Sequence, residues 1–292
     1  SIAETRNEVL EFGGKEFFRK LFVFKRSSLR EALFRDYFVN NVFYDESKNV
    51  PEPLYFLRHE EENMYYGITK REDKLDLEKL VANGENIQGH VNEAIKNIGI
   101  LHTIGLNHLD RNSLSIEKDG IRLDLPKYDY LNEFELRLLN RLGKSDKLDR
   151  LHRLYSQYIN KFESMEFLCH GDLFLSNILE GGMIIDFDRA TIANPSLDLG
   201  TLIESSGEHN HEETQRLIDI YFNNLSVLEN GNLRENVIRN YFQLDRIHIL
   251  MCEVGSRFKR NKIDQASRYV RRIQGYLDTQ NIELKNAFVD YI

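Results

Sequence analysis

Between Leu168 and Asp188 the chain reads LCHGDLFLSNILEGGMIIDFD, and no other stretch restricts its folding so tightly. Four acids or amides, Asp172, Asn177, Asp186 and Asp188, stand among leucines and isoleucines. Gly181-Gly182 separates two short apolar runs, which is a tight-turn signal, so residues 178–186 are expected to form strand, turn and strand. Such a hairpin sets Asn177, just before its first strand, beside Asp186, at the end of its second. Turn chemistry could account for these residues, since Asp and Asn cap helices and open turns. A convergent carboxylate and amide oxygen also suit magnesium, which takes a few hard oxygen ligands and completes its octahedron with water and substrate phosphate. Asp172, on the preceding loop, would then face the phosphate and could accept a proton from an attacking hydroxyl.

The rest of the chain limits what kind of molecule carries this segment. With 292 residues and no long proline, serine or glycine tract, it can bury a large core as one big domain or two lobes. Cys169 and Cys252 both sit in apolar company, as reduced thiols of a cytoplasmic protein would. No signal peptide is visible and the apolar runs are far shorter than the roughly 18 residues of a membrane span, so no membrane is expected. A net charge of −8 argues against a dedicated nucleic-acid binder. The basic stretch from Arg257 to Arg272 carries apolar residues near helical spacing and reads as a solvated helix face. HNHEE, at His209 to Glu213, matches no strong zinc spacing and reads as an exposed polar loop.

The first seventy residues read as strands with one helix. RNEVLEF and KEFFRKLF flank Gly13-Gly14, predicting an antiparallel hairpin with Lys20 on its second strand. Alternation alone does not choose between Lys20 and its neighbour Arg19. SLREALFRDYFVNNVF has helical spacing, with Ser27 or Ser28 as N-cap and Glu31 in the first turns. LYFLR and MYYGITK predict a second hairpin. After about Lys70 the pattern turns helical, so residues 68–72 are the expected boundary between lobes. HVNEAIKNIGILHTI should bury Val91, Ile95, Ile98 and Leu101 or His102, and KLDRLHRLYSQYINKF should bury Leu148, Leu151, Tyr155 and Tyr158. EKDGIRLDLPKYDY is either a small strand pair or an irregular connection.

His170-Gly171-Asp172, then Asn177, then Ile185-Asp186-Phe187-Asp188 resembles the signature of the aminoglycoside phosphotransferase and choline kinase family, which shares the protein-kinase fold. The similarity extends from about residue 5 to about residue 260. It implies an α+β, two-lobed fold: an N-lobe over 1–68 with a small antiparallel sheet and one helix, and a mainly helical C-lobe over 69–292 with a short catalytic hairpin. It also implies an enzyme using ATP and Mg2+, with Asp172 as base and Asn177 and Asp186 as metal ligands. Lys20 resembles the phosphate-anchoring lysine, at the family's spacing, and Glu31 its helix partner. Leu101-His102 resembles the family's LH pair, and Asp198, in RATIANPSLDLG, its structural carboxylate. The adenine would lie against the backbone of Ile68, Thr69 and Lys70. His170 would be structural, and Asp188 would either complete the metal site or bond the loop backbone.

The resemblance has two departures. Only Ser1 to Arg6 precedes the segment read as the second strand, so the family's first strand and nucleotide loop are expected to be absent or to lie upstream. The stretch from Asp186 to Asp198 is too short for a protein-kinase activation loop, and Gly171 stands where His-Arg-Asp has arginine. Both features of the second departure favour a small hydroxyl-bearing acceptor (aminoglycoside, choline-like amine, sugar or amino acid) over a protein. Glu204, Glu208, Glu212 and Glu213 mildly favour a cationic one. The alternatives are a protein or lipid-linked acceptor, or a nucleotide-binding regulatory module without turnover.

Overall fold

The computed structural model describes residues 6–7, 22–27, 30–59, 64–70, 74–139, 146–160, 165–207, 209–225, 232–260, 262–277 and 286. The chain runs through β1 (Arg6–Asn7), β2 (Phe22–Ser27), α1 (Arg30–Ser47), β3 (Pro53–His59) and β4 (Met64–Lys70). Then come α2 (Leu77–Ala82), α3 (Gln88–His108), β5 (Leu109–Asp110), β6 (Ser115–Lys118), β7 (Ile121–Asp124), α4 (Tyr130–Phe134) and α5 (Asp146–Ile159). It continues with β8 (Phe167–Cys169), β9 (Ile178–Leu179), β10 (Met183–Ile184), β11 (Thr191–Ala193), α6 (Ser196–Ser206), α7 (His211–Asn224), α8 (Asn232–Lys259) and α9 (Ile263–Tyr276). Two compact units result, Ser1–Lys127 with Glu166–Asn230 and Tyr128–Met165 with Gly231–Ile292. The lobe boundary expected at 68–72 falls inside the first unit.

In the first unit an antiparallel sheet has the order β1-β2-β4-β3. LYFLR and MYYGITK pair as expected, with Phe56 opposite Gly67. The amino-terminal pairing differs from expectation. A turn centred on Gly13-Gly14 would set Asn7 opposite Lys20, whereas Asn7 lies opposite Lys25 and Arg6 opposite Arg26. Strand alternation has period two and does not fix register, so the glycine pair was the sole register signal here. Lys20 and Ser28 lie outside the described residues, and Ser27 ends β2 instead of capping a helix.

Helix α1 buries Leu33, Phe38, Val39, Val42 and Phe43, and it packs on the sheet where the ring of Phe34 meets Phe56 edge-on at 5.2 Å. Its far end is tied to the sheet β5-β6-β7. Lys118 Nζ donates to Asn41 O at 2.6 Å and pairs with Asp45. EKDGIRLDLPKYDY contains the turn of a true hairpin, with Glu117 opposite Arg122. Val91, Ile95, Ile98, Leu101 and His102 of α3 are all buried, as the helical period required.

The hairpin read from Gly181-Gly182 is present as β9 and β10, with Leu179 opposite Met183 and Ile178 opposite Ile184. Its turn is Glu180-Gly181-Gly182, and both glycines have positive φ, +79° and +77°. Gly182 also lies so close to α3 that a Cβ would stand 2.4 Å from Ala94 N. Asn97 Nδ2 donates to Gly182 O at 2.8 Å, Ile184 N–H to Asn49 O at 3.1 Å and Glu180 N–H to Leu75 O at 3.0 Å, so neighbouring segments hold the turn and both arms of the hairpin.

The second unit is built around Phe134, Leu151, Tyr155, Tyr158, Leu244, Ile247, Met251, Val254, Val270 and Ile273. Ala266, Val270 and Ile273 form the buried stripe of α9, while Arg268 and Arg271 are exposed. The basic stretch is thus a solvated face over a core stripe. Among the described residues no helix is long and apolar enough to cross a membrane.

His248 is fully buried in this core, with Tyr128 Oη at 2.8 Å from Nε2 and Tyr155 Oη at 2.6 Å from Nδ1. Burial, reinforced by the charge of Arg137, lowers its pKa to about 3 from 6.5. The unfolded chain therefore binds a proton that the folded unit refuses, and the contribution of neutral His248 is full above pH 6.5 and is lost as pH falls toward 3. The expected slope is at most about 1.4 kcal/mol per pH unit. Urea midpoints measured from pH 7 to pH 4 should fall less steeply in His248→Gln than in the parent.

Candidate active site

The site grows from one buried carboxylate. Pro195 and Ser196 start α6, which places Asp198 in its first turn, 2 % exposed. Asp198 accepts hydrogen bonds from His170 N–H at 2.7 Å and Gly171 N–H at 3.0 Å, so it holds the backbone that leaves β8. His102 Nε2 is 3.0 Å from the same carboxylate, and its Nδ1 is 2.9 Å from Tyr221 Oη. Burial pushes the Asp198 carboxyl up, but the hydrogen bond and charge of His102, with those of His170, hold it below the usual carboxylate range.

Gly171 turns this backbone at φ +80°, and a Cβ there would stand 2.5 Å from Arg189 O. Only glycine combines this conformation with so close an approach. His170, 3 % exposed, spans the two loops: its Nε2 meets Ile185 O at 2.8 Å and its Nδ1 accepts Asp172 N–H at 3.3 Å. Both ring nitrogens are engaged with backbone, which is a bracing arrangement.

Asp172 and Asn177 share backbone contacts. Asn177 Nδ2 donates to Asp172 O at 2.8 Å. A carbonyl can be served only by the amide nitrogen, so Asn177 Oδ1 is left as the face available to a cation. Asn177 O accepts Ile185 N–H at 3.0 Å, which brings Asn177 beside Asp186. Asp186 has left-handed backbone, φ +70° and ψ +61°. For a non-glycine residue this conformation costs on the order of 1 kcal/mol and persists only where surroundings enforce it. Asn177 and Asp186 offer an amide oxygen and a carboxylate, hard oxygen donors of the kind that fit magnesium.

Other expected residues are placed differently. Ile68, Thr69 and Lys70 are the last residues of β4 and not a linker: Ile68 has partners in both Phe24 and Tyr55, Thr69 in Val23 and Pro53, and Lys70 in Phe22. The change of composition near Lys70 marked where strand pattern stops, and the strand uses all of that pattern. Glu31 is in the first turn of α1 and exposed. Asp188 is bound through its backbone, its O accepting Arg35 Nη1 at 3.0 Å. Among the acidic residues, Glu204 is buried, while Glu213 is engaged by Arg216 at 2.8 Å and Gln88 at 2.9 Å. HNHEE is a helix start, Asn210 capping α7 by accepting Glu213 N–H at 2.8 Å.

Three residues at the site were not singled out from the sequence. Arg189 Nε is 4.0 Å from Asp172 Oδ2, and the Arg189 side chain is 53 % exposed. Arg35 and Asp36 lie on α1, where Asp36 is buried and accepts Phe187 N–H at 2.7 Å. A signal for Asp36 existed, because it shares the buried face of α1 with Leu33 and Asn40, where an unsatisfied acid would be costly.

The profile of the family described as "Phosphotransferase enzyme family" (APH) matches residues 24–230. The chain belongs to this family. The matched span contains Asp172, Asn177, Asp186 and Asp198, and Lys20 precedes it. Solved structures similar to this family member include a thermostable mutant of aminoglycoside phosphotransferase APH(4)-Ia in ternary complex with ADP and hygromycin B. It is 12 % identical with a TM-score of 0.54, covering 92 % of this chain and 86 % of that one. The GDP complex of aminoglycoside 2'-phosphotransferase-IIIa is 13 % identical with a TM-score of 0.51, covering 93 % and 87 %. A putative aminoglycoside phosphotransferase from Ralstonia eutropha JMP134 is 14 % identical with a TM-score of 0.53, covering 92 % and 85 %. No curated protein sequence matches. The fold is the α+β, protein-kinase-like fold of the aminoglycoside phosphotransferases, as the sequence led us to expect.

Gly171→Ala should be destabilising by about 2–4 kcal/mol, combining left-handed strain with a backbone clash. Chemical denaturation of the variant beside the parent measures this, and a loss within about 0.5 kcal/mol, the scale of ordinary surface substitutions, would contradict the close approach to Arg189 O.

Proposed function

We propose that this family member is an ATP- and Mg2+-dependent phosphotransferase that moves the γ-phosphoryl group to a hydroxyl of a small molecule. The observation that carries the reading is the chain of backbone contacts joining its three oxygen-bearing side chains. Asn177 Nδ2 is bound to Asp172 O, and Asn177 O to Ile185 N–H, the residue before Asp186. In this reading residues 1–68 serve as the nucleotide-anchoring lobe and residues 69–292 carry the catalytic groups. The ADP and GDP named with the structural neighbours belong to those proteins, and they support a nucleotide as phosphoryl donor here.

Asn177 Oδ1 and the Asp186 carboxylate would hold magnesium, which when bound neutralises charge on the β- and γ-phosphate oxygens. Asp172 receives the acceptor hydroxyl on its partly exposed carboxylate, orients the oxygen and takes its proton. Arg189, whose Nε lies 4.0 Å from that carboxylate, limits how far it can swing. His170 and Asp198 hold the loop, and Asp188 acts through its backbone. Lys20, partnered by Glu31, anchors the nucleotide phosphates, and the backbone at Lys70, paired on one side with Phe22, receives the adenine. Its neighbour Arg19 is the competing anchor, because alternation does not choose between the two. Turnover in Lys20→Ala should fall on the order of 10²-fold, the effect of removing one electrostatic stabiliser. The same loss in Arg19→Ala, with Lys20→Ala unchanged, would move the anchor to Arg19.

The test of the function is ADP release from ATP and magnesium across aminoglycosides, choline-like amines, sugars and amino acids. Release with one acceptor class supports the reading, and nucleotide binding without release from any of them turns it into a regulatory module. A cationic acceptor should show a KM that rises with ionic strength, as screening shortens the Debye length to about 8 Å near physiological salt.

The two aspartates should fail differently. Asp172→Asn is expected to keep magnesium-dependent binding of a non-hydrolysable ATP analogue while transfer drops roughly 10²- to 10⁴-fold, the contribution of a general base. Asp186→Asn should lose the magnesium dependence itself. Calorimetric titration with and without magnesium separates them, and identical behaviour of the two variants would mean that both are structural.

A further inference from the structure

Asp186 sits in left-handed backbone, and something must enforce it. On its amino-terminal side His170 Nε2 holds Ile185 O at 2.8 Å. On its carboxy-terminal side the contacts come from α1. Asp36 Oδ1 accepts Phe187 N–H at 2.7 Å, and Arg35 Nη1 donates to Asp188 O at 3.0 Å. Two consecutive residues of one helix thus grip the two consecutive residues that follow Asp186. The Phe187 ring is held between His170, at 4.8 Å, and Phe43 of the same helix, at 5.3 Å.

Neither charged residue is placed for stability alone. Arg35 is partly buried, and burial lowers its pKa against the opposing pull of Asp188 and Glu31. Its Nε is buried without a hydrogen-bond partner among the described residues. An unmet donor on a desolvated cation costs free energy, and apolar side chains of similar volume would commonly serve stability as well or better. Asp36 is a carboxylate on the buried face of a helix, fixed by Asn40 Nδ2 at 3.1 Å so that its oxygen meets Phe187 N–H. Glu31, read from the sequence as the partner of a lysine, here adds its charge to the field around Arg35.

We propose that Arg35 and Asp36 are positioning residues, a clamp on α1 that holds Asp186 in its metal-binding conformation through the Phe187 N–H and the Asp188 carbonyl. The metal part of this statement rests on the function proposed above, and the clamp itself rests on hydrogen bonds alone. Any displacement of α1 is transmitted to Asp186 through two backbone contacts, without touching nucleotide or acceptor.

Hydrogen exchange on the ligand-free protein tests the clamp without reference to activity. Exchange of the Phe187 amide should speed up about tenfold in Asp36→Ala, the equivalent of one net hydrogen bond, with amides of α6 unchanged as evidence of an intact fold. Asp36→Asn, whose amide oxygen can still accept, should restore protection. Unchanged Phe187 exchange in Asp36→Ala would overturn the proposal. Titration of a non-hydrolysable ATP analogue tests the consequence. Arg35→Ala and Asp36→Ala should bind it like the parent without magnesium but lose about tenfold of the magnesium-dependent tightening, with partial rescue in Arg35→Lys. Full tightening in both alanine variants would also overturn it. If the parent itself showed no tightening, the metal reading of Asp186 would fall, while the exchange measurement would still decide the clamp.

Discussion

The buried carboxylate of Asp198 is the contact on which the site depends. A charged group at 2 % exposure is tolerable only when its lone pairs are occupied, and here His170 N–H, Gly171 N–H and His102 occupy them. The bargain runs in both directions. The carboxylate is stabilised by the loop, and the loop, which would otherwise leave β8 with two unsatisfied amides, acquires a fixed path. From that path follow the orientation of His170, its reach to Ile185 O, and the position of Asp172 on the open side of the turn.

Around this anchor the site holds two backbone conformations that most side chains avoid, at Gly171 and at Asp186. They differ in how they are tolerated. At Gly171 the absence of a Cβ removes both strain and clash with Arg189 O. At Asp186 a side chain must be present for the proposed chemistry, so the strain remains and is offset by neighbours on both sides: His170 from the loop after β8, Arg35 and Asp36 from α1. Strain concentrated where a metal ligand is proposed is the pattern expected of a pre-organised site.

Much of this was legible in the sequence because it was encoded locally. The Gly181-Gly182 turn with its flanking apolar pairs predicted the hairpin that brings Asn177 to Asp186, and helical spacing identified Val91, Ile95, Ile98, Leu101 and His102 as core. What escaped was set by long-range pairing. The register of β1 on β2 depends on contacts that alternation does not encode, so a turn drawn at Gly13-Gly14 missed it by five residues. The contacts of Arg35 and Asp36 cross about 150 positions of sequence, and nothing near them announces which backbone they will meet. Of the acidic residues that mildly favour a cationic acceptor, Glu204 is buried and Glu213 is paired within its own helix with Arg216, and net charge encodes neither fact.

The central claim is that oxygens of Asn177 and Asp186 form one divalent-cation site facing a nucleotide. The most direct measurement is anomalous scattering from crystals grown with Mn2+ and a non-hydrolysable ATP analogue. The account predicts a manganese peak in contact with Asn177 Oδ1 and the Asp186 carboxylate, bridged to the analogue's phosphates, with Asp172 outside the coordination sphere. Nucleotide bound with no peak at those two side chains, or manganese held by Asp172 instead, would contradict it.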